Sequence, residues 1–148
     1  MFELTEDGYR ELTAGDLLAA NDTTLLLRRC EELTRCRFVW VDRFDGTELA
    51  LPEPRIDAGQ VARGRLSAGG RVLSLGGVDG AHLFDLSDGS PIEEPVGLWD
   101  PGAISVSPDE RYLVVSEGRV RVLDLDTDEW FDLGSAGRGG RALFVADG

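Results

Sequence analysis

Apolar and polar positions alternate most regularly between Ile104 and Leu133. Four short runs of β-branched, aromatic and aliphatic residues are separated there by Ser107-Pro108-Asp109-Glu110, Ser116-Glu117-Gly118 and Asp126-Thr127-Asp128. Period-two runs broken by turn-forming residues predict a four-stranded antiparallel meander, with strands over 103–107, 111–116, 119–124 and 130–133. One such sheet cannot bury both of its faces, so it requires neighbours of the same kind.

Those neighbours are legible upstream. Val41-Asp42-Arg43-Phe44-Asp45-Gly46 aligns with Phe84-Asp85-Leu86-Ser87-Asp88-Gly89 and with Leu123-Asp124-Leu125-Asp126-Thr127-Asp128, their first aspartates 43 and 39 residues apart. A second anchor, Leu66-Ser67-Ala68-Gly69-Gly70-Arg71, matches Val106-Ser107-Pro108-Asp109-Glu110-Arg111 at an offset of 40, and Ala20-Asn21-Asp22-Thr23-Thr24 fits the same slot. A period near 40 with four strands per unit is the spacing of a propeller blade. The expected architecture is all-β and β-propeller-like, with three complete four-stranded antiparallel blades over about 14–51, 61–95 and 102–133. Partial terminal blades occupy 1–12 and 141–148, and Pro52-Glu53-Pro54 opens a linker because proline cannot donate to a ladder. One local alternative is a helix over 23–36, with Leu26, Cys30 and Leu33 on one face; the register of the units favours strands.

On these residues the chain resembles the WD40-like propeller repeats of TolB-type bacterial proteins. In that family a Ser-Pro-Asp-Gly turn precedes the second strand; here it stands as Ser107-Pro108-Asp109-Glu110 and, degraded, as Ser67-Ala68-Gly69-Gly70. Trp99-Asp100 lies in a link before a first strand and not at the end of a third, and Ala81 precedes His82 where a Gly-His pair would stand. Two arrangements fit these units: a compact four-bladed ring with one thin blade, which makes 1–148 a single domain, or part of a larger propeller. A homo-oligomer completing the propeller is the way a second chain would cover open edges.

Composition narrows the partners. The 148 residues carry 28 acids against 15 cations, all arginine, for a net charge of −13. That field opposes phosphate backbones and anionic lipid, so no nucleic acid and no membrane insertion are expected, while a basic peptide suits it. No apolar run approaches the roughly 20 residues of a membrane helix, and the first residues lack the basic and apolar regions of a signal peptide. Cys30 and Cys36 flank Glu31-Glu32-Leu33-Thr34-Arg35. If these form a hairpin loop, the two cysteines face each other and a disulfide is expected, implying an extracellular or cell-envelope location; free thiols would imply the cytoplasm.

Candidate chemistry is sparse. Asp124, Asp126, Asp128 and Asp132 stand at relative positions 1, 3, 5 and 9, a spacing that resembles the calcium loops of integrin-type propellers and EF-hands. Glu129 occupies the place of the turn glycine, and the alternative role is a turn whose acids cap their own backbone. His82 is the single histidine, the serines lack nucleophile-elbow glycines, and Glu93-Glu94 reads as a solvated acidic pair. Trp40 and Trp130 belong to strands and packing, whereas Trp99 with Asp100 in a Pro-Gly loop is the candidate binding contact. No catalytic residue and no cofactor beyond possible calcium is assigned. Three functions compete: a non-enzymatic binding or scaffold module for a protein, peptide or saccharide; an accessory portion of a propeller hydrolase; and a calcium-stabilised adhesion-like module.

Overall fold

The computed structural model describes residues 14–93 and 104–135, together with the backbone of 2–5 and 8–11. Strands β1 (Phe2–Thr5) and β2 (Gly8–Glu11) form an antiparallel hairpin. Three four-stranded antiparallel sheets follow, each a meander in chain order. Sheet I comprises β3 (Asp16–Ala20), β4 (Thr24–Glu32), β5 (Arg35–Asp42) and β6 (Glu48–Leu49). Sheet II comprises β7 (Val61–Leu66), β8 (Val72–Gly77), β9 (Gly80–Asp85) and β10 (Ser90–Ile92). Sheet III comprises β11 (Ile104–Val106), β12 (Tyr112–Glu117), β13 (Arg119–Asp124) and β14 (Glu129–Ser135). The expected all-β class and its three sheets are therefore present, and the helical alternative over 23–36 is replaced by the β4–β5 hairpin. Strand β6 is shorter than the pattern suggested, ending ahead of Pro52, and Asp57 caps a single 3₁₀ turn over Ala58–Gln60 in the link to sheet II.

Burial explains why the strands read as they do. One face of sheet I packs Leu26, Phe38 and Trp40 against Val61, Leu73, Leu75 and Phe84 of sheet II. The other face of sheet II packs Val72, Ala81 and Leu83 against Leu113, Val115, Leu123 and Leu125 of sheet III. Sheet II is thus apolar on both faces, and Val72-Leu73-Ser74-Leu75 is a continuous buried run where a one-sided sheet would alternate. The face of sheet I turned away from sheet II carries a further buried set, Leu25, Leu27, Val39 and Val41. The first strands of sheets I and II lie side by side, β3 against β7. Gly64 permits that approach, since a Cβ there would stand 2.6 Å from Leu75 and 3.4 Å from the Leu18 carbonyl oxygen.

All three sheets close their first turn in one way. The backbone N–H groups of Asn21, Ser67 and Ser107 donate to the carbonyls of Thr24, Val72 and Tyr112. In return the side-chain oxygens of Asn21, Ser67 and Ser107 accept from the N–H groups of those same second-strand residues. The turns are also joined from sheet to sheet. Asn21 Nδ2 donates to the Ser67 and Ala68 carbonyls, each at 3.1 Å, and the Glu110 carboxylate accepts from Gly69 N and Arg71 N, each at 2.8 Å.

Glu110 holds this position with φ at +59°, where the corresponding residue of sheet II is Gly70 at +84°. A left-handed non-glycine residue costs about 1–2 kcal/mol, which the two charge-assisted bonds between sheets offset. Glu110→Ala keeps the backbone cost and loses both bonds, so it should destabilise by about 1–3 kcal/mol. Glu110→Gly removes the cost as well and should lose distinctly less. Urea unfolding of the two variants checks this order, and equal losses would contradict it.

Candidate functional site

The acidic turns between third and fourth strands share one local design. The Asp42, Asp85 and Asp124 carboxylates each accept from a backbone N–H two residues on, that of Phe44, Ser87 and Asp126. The residue four positions after each aspartate is left-handed: Gly46 at φ +75°, Gly89 at +78° and Asp128 at +57°. Asp45 and Asp88 add bonds to Thr47 N and Ser90 N. The turn-capping role of these acids follows directly from this geometry.

Arginines supply the positive charge at the same turns. Arg111, just before β12, reaches Asp124 at the end of β13 through Nη2 at 2.8 Å and Nε at 3.2 Å. Arg71 makes the corresponding contact with Asp85 in sheet II, through Nη2 at 3.3 Å. It also crosses to sheet III, where Nη1 donates to Asp126 at 3.1 Å and the Glu110 carbonyl at 3.2 Å, and Nη2 donates to the Leu125 carbonyl at 3.2 Å. All three guanidinium nitrogens of Arg71 are engaged, so it ties two sheets together at one point. Asp132, by contrast, lies along β14 and binds Arg119 at 2.9 Å.

The structure therefore brings Asp124 and Asp126 together around Arg71 and Arg111, leaves Asp128 on the rim of the turn, and places Asp132 with a different arginine. Among the described residues no group of three or more His, Cys, Asp or Glu side chains stands poised for a metal ion. The Arg111 hydrogen bond holds the buried Asp124 carboxyl below the usual carboxylate range, against the upward pull of burial. Arg119 does the same for Asp132.

The remaining candidates separate. His82 Nε2 meets Asp79 at 3.1 Å beside the exposed β8–β9 turn. Trp130 donates its indole N–H to the Glu93 carbonyl at 3.1 Å, and Trp40 donates to the Pro52 carbonyl at 3.0 Å, so both serve packing. Between sheets II and III lies a cleft of about 580 Å³, lined by Arg71, Asp85, Asp88, Glu93, Asp128 and Trp130. Trp99 and Asp100 lie outside the described residues. Among the described residues no helix is long and apolar enough to cross a membrane.

Cys30 and Cys36 are directly paired in the β4–β5 register and form a disulfide, with Cα atoms 4.0 Å apart. The hairpin is rooted by two arginines. Arg28 donates to Asp16 at 3.1 Å and to the Val61 carbonyl at 2.6 Å, while Arg29 binds Glu48 and donates to the Ala14 carbonyl at 2.7 Å. Leu33 at the apex is fully exposed. Sequence reasoning assigned no role to Arg71, Arg111 or Leu33. A signal for the arginines was present, since each directly precedes a second strand whose partner strand ends in aspartate.

No protein-family model matches this chain, and comparison with curated proteins gives no match.

Two outcomes follow. Because Asp124, Asp126 and Asp132 are engaged by arginine, millimolar calcium should leave the thermal midpoint within about one degree of chelator-treated protein. A rise of several degrees would show that the acids rearrange around the ion. A lowered carboxyl contributes stability that is full above about pH 4 and is lost as pH falls through its lowered folded-state value. Asp124→Asn, which keeps a side-chain oxygen for the turn but cannot titrate, should flatten the acid limb of stability between about pH 4 and pH 2. Urea midpoints along that series check this, and a slope equal to that of the unmodified chain would contradict it.

Proposed function

We propose that the chain is a non-enzymatic interaction module on the propeller plan, in which stacked sheets hold hairpins and loops for a protein or peptide partner. The observation that carries this reading is the division between the two ends of the stack. At one end the first and third turns are stitched together by Asn21, Glu110 and Arg71. At the other end the β4–β5 and β8–β9 turns expose Leu33 and Val78 at their tips. A rigid stack whose first and third turns are joined from sheet to sheet, and whose second-turn end presents Leu33 and Val78, suits recognition.

The propeller plan is supported by face-to-face stacking in chain order, by the first strands of sheets I and II lying side by side, and by the shared turn chemistry of the three sheets. Closing a ring takes at least four blades, and a second copy of the chain is one source of the further strands. The Cys30–Cys36 bridge favours an oxidising compartment, extracellular or in the cell envelope.

Panning a phage-displayed library of short peptides against the immobilised chain tests the reading. The expected outcome is a family of related sequences whose binding footprint, mapped by hydroxyl-radical labelling, falls on the second-turn end. Failure to enrich any sequence over an unrelated acidic protein would overturn it.

A further inference from the structure

The β4–β5 hairpin departs from its two sisters. Strands β4 and β5 have nine and eight residues, whereas β8, β9, β12 and β13 have six each. Three extra residues on β4 carry the tip about 10 Å beyond the other second turns. So short an extension has no core of its own to order it, and a covalent clamp takes that place. The chain's only two cysteines are used there, with Cys36 resting on the core between sheets I and II. Two arginines rooted on Asp16 and Glu48 hold the base of the hairpin. The result is a stiff finger whose apex side chain, Leu33, touches nothing that would remove it from water.

Beside the finger is a cleft of about 540 Å³. Its walls include the disulfide and Leu33 on the apolar side and Glu31, Glu32 and Asp16 on the charged side. Arg28 shares the cleft, but its guanidinium is spent on Asp16 and the Val61 carbonyl. Among the described residues no hydrogen bond or ion pair engages the Glu31 and Glu32 carboxylates, and Arg35, opposite Glu32 in the β4–β5 register, is the cation nearest to them along the hairpin. The cleft is therefore matched to a long cationic side chain, whose aliphatic stem lies on the disulfide and Leu33 while its head meets the two glutamates. An adjoining apolar residue of the same ligand would cover Leu33. The net charge of −13 draws such a ligand in from a distance.

We infer that the disulfide-clamped tip of β4–β5, with the cleft beside it, is the docking site for a basic and apolar segment of a partner protein. This rests on the interaction-module reading and names the partner's chemistry. The clamp makes the site pre-organised, so little ordering accompanies binding, and its integrity depends on the oxidised state of Cys30 and Cys36.

The test uses the full chain and fluorescein-labelled 12-residue peptides of alternating arginine and leucine, with glutamate–leucine and arginine–serine peptides as counterparts, read by fluorescence anisotropy. The arginine–leucine peptide should bind at least tenfold more tightly than either counterpart. Leu33→Asp and the double variant Glu31→Gln/Glu32→Gln should each weaken it at least fivefold, and so should reduction of the disulfide. The double variant Asp22→Asn/Glu53→Gln removes the same charge elsewhere on the surface and should leave binding unchanged. All four changed residues in the charge variants are exposed, so folding is preserved and is verified by circular dichroism. Equal weakening by both charge variants would overturn the site in favour of diffuse attraction to an acidic surface. A dimer in light scattering that Leu33→Asp abolishes would overturn it in favour of a second copy as occupant. Library peptides that bind but ignore the finger variants would overturn the site while leaving the interaction-module reading intact; absence of any binder would end both.

Discussion

A four-stranded sheet that is apolar on both faces must lie between two others, and that constraint organises this molecule. Leu73, Leu75 and Phe84 on one face of sheet II, and Val72 and Leu83 on the other, are all at most 2% exposed. Each fully buried side chain of this size contributes roughly 1.5–3 kcal/mol, so neither face can be left to water. Sheets I and III answer that need with their own apolar faces, and the order of the chain becomes the order of the stack. The hydrogen bonds that Asn21, Glu110 and Arg71 make from sheet to sheet lie at the edges of this stack, where turns meet.

Those edges are where the sheets gain a defined relation to one another. Apolar faces slide readily, since burial is non-directional. Hydrogen bonds between turns are directional and remove that freedom. Glu110 reaching two backbone N–H groups, Asn21 reaching two carbonyls, and Arg71 reaching five acceptor atoms each set one sheet against the next. Glu110 is informative because it tolerates a left-handed backbone where glycine would be free of strain. The local conformational preference yields to a contact 41 residues away, with Gly69.

This separation in sequence also explains what was legible beforehand. Strands follow from alternation over a few neighbours, so those of sheet III were readable to within a residue or two; β6 ended early because prolines follow it. The cross-strand pairing of Cys30 with Cys36 was readable for the same reason, being local. The acids of the 124–132 segment were visible too, and the placing of Arg111 before β12 was a local signal, but the contact of Arg71 with Asp126 was not readable. Arg71 is 55 residues from Asp126, and even Arg111 is 13 from Asp124. An aspartate-rich turn therefore looks the same in sequence whether it faces a metal ion or a guanidinium. Arg111 meets Asp124 within sheet III, whereas the stacking of sheet II on sheet III is what brings Arg71 to Asp126.

The same logic separates the finger from the rest of the fold. Features shared by the three sheets, such as the side-chain oxygen capping each first turn, are accounted for by the stack itself. A feature confined to one sheet has no such account. The longer β4–β5 hairpin buries no additional core beyond Cys36, exposes a leucine at its apex, and uses a covalent bond for the rigidity that packing supplies everywhere else. The sister hairpins close with six-residue strands and no such bridge. Such an extension, held in one shape, is what the proposed docking of a partner at its tip would account for, with the Glu31 and Glu32 carboxylates beside an apolar wall setting the chemistry of that contact.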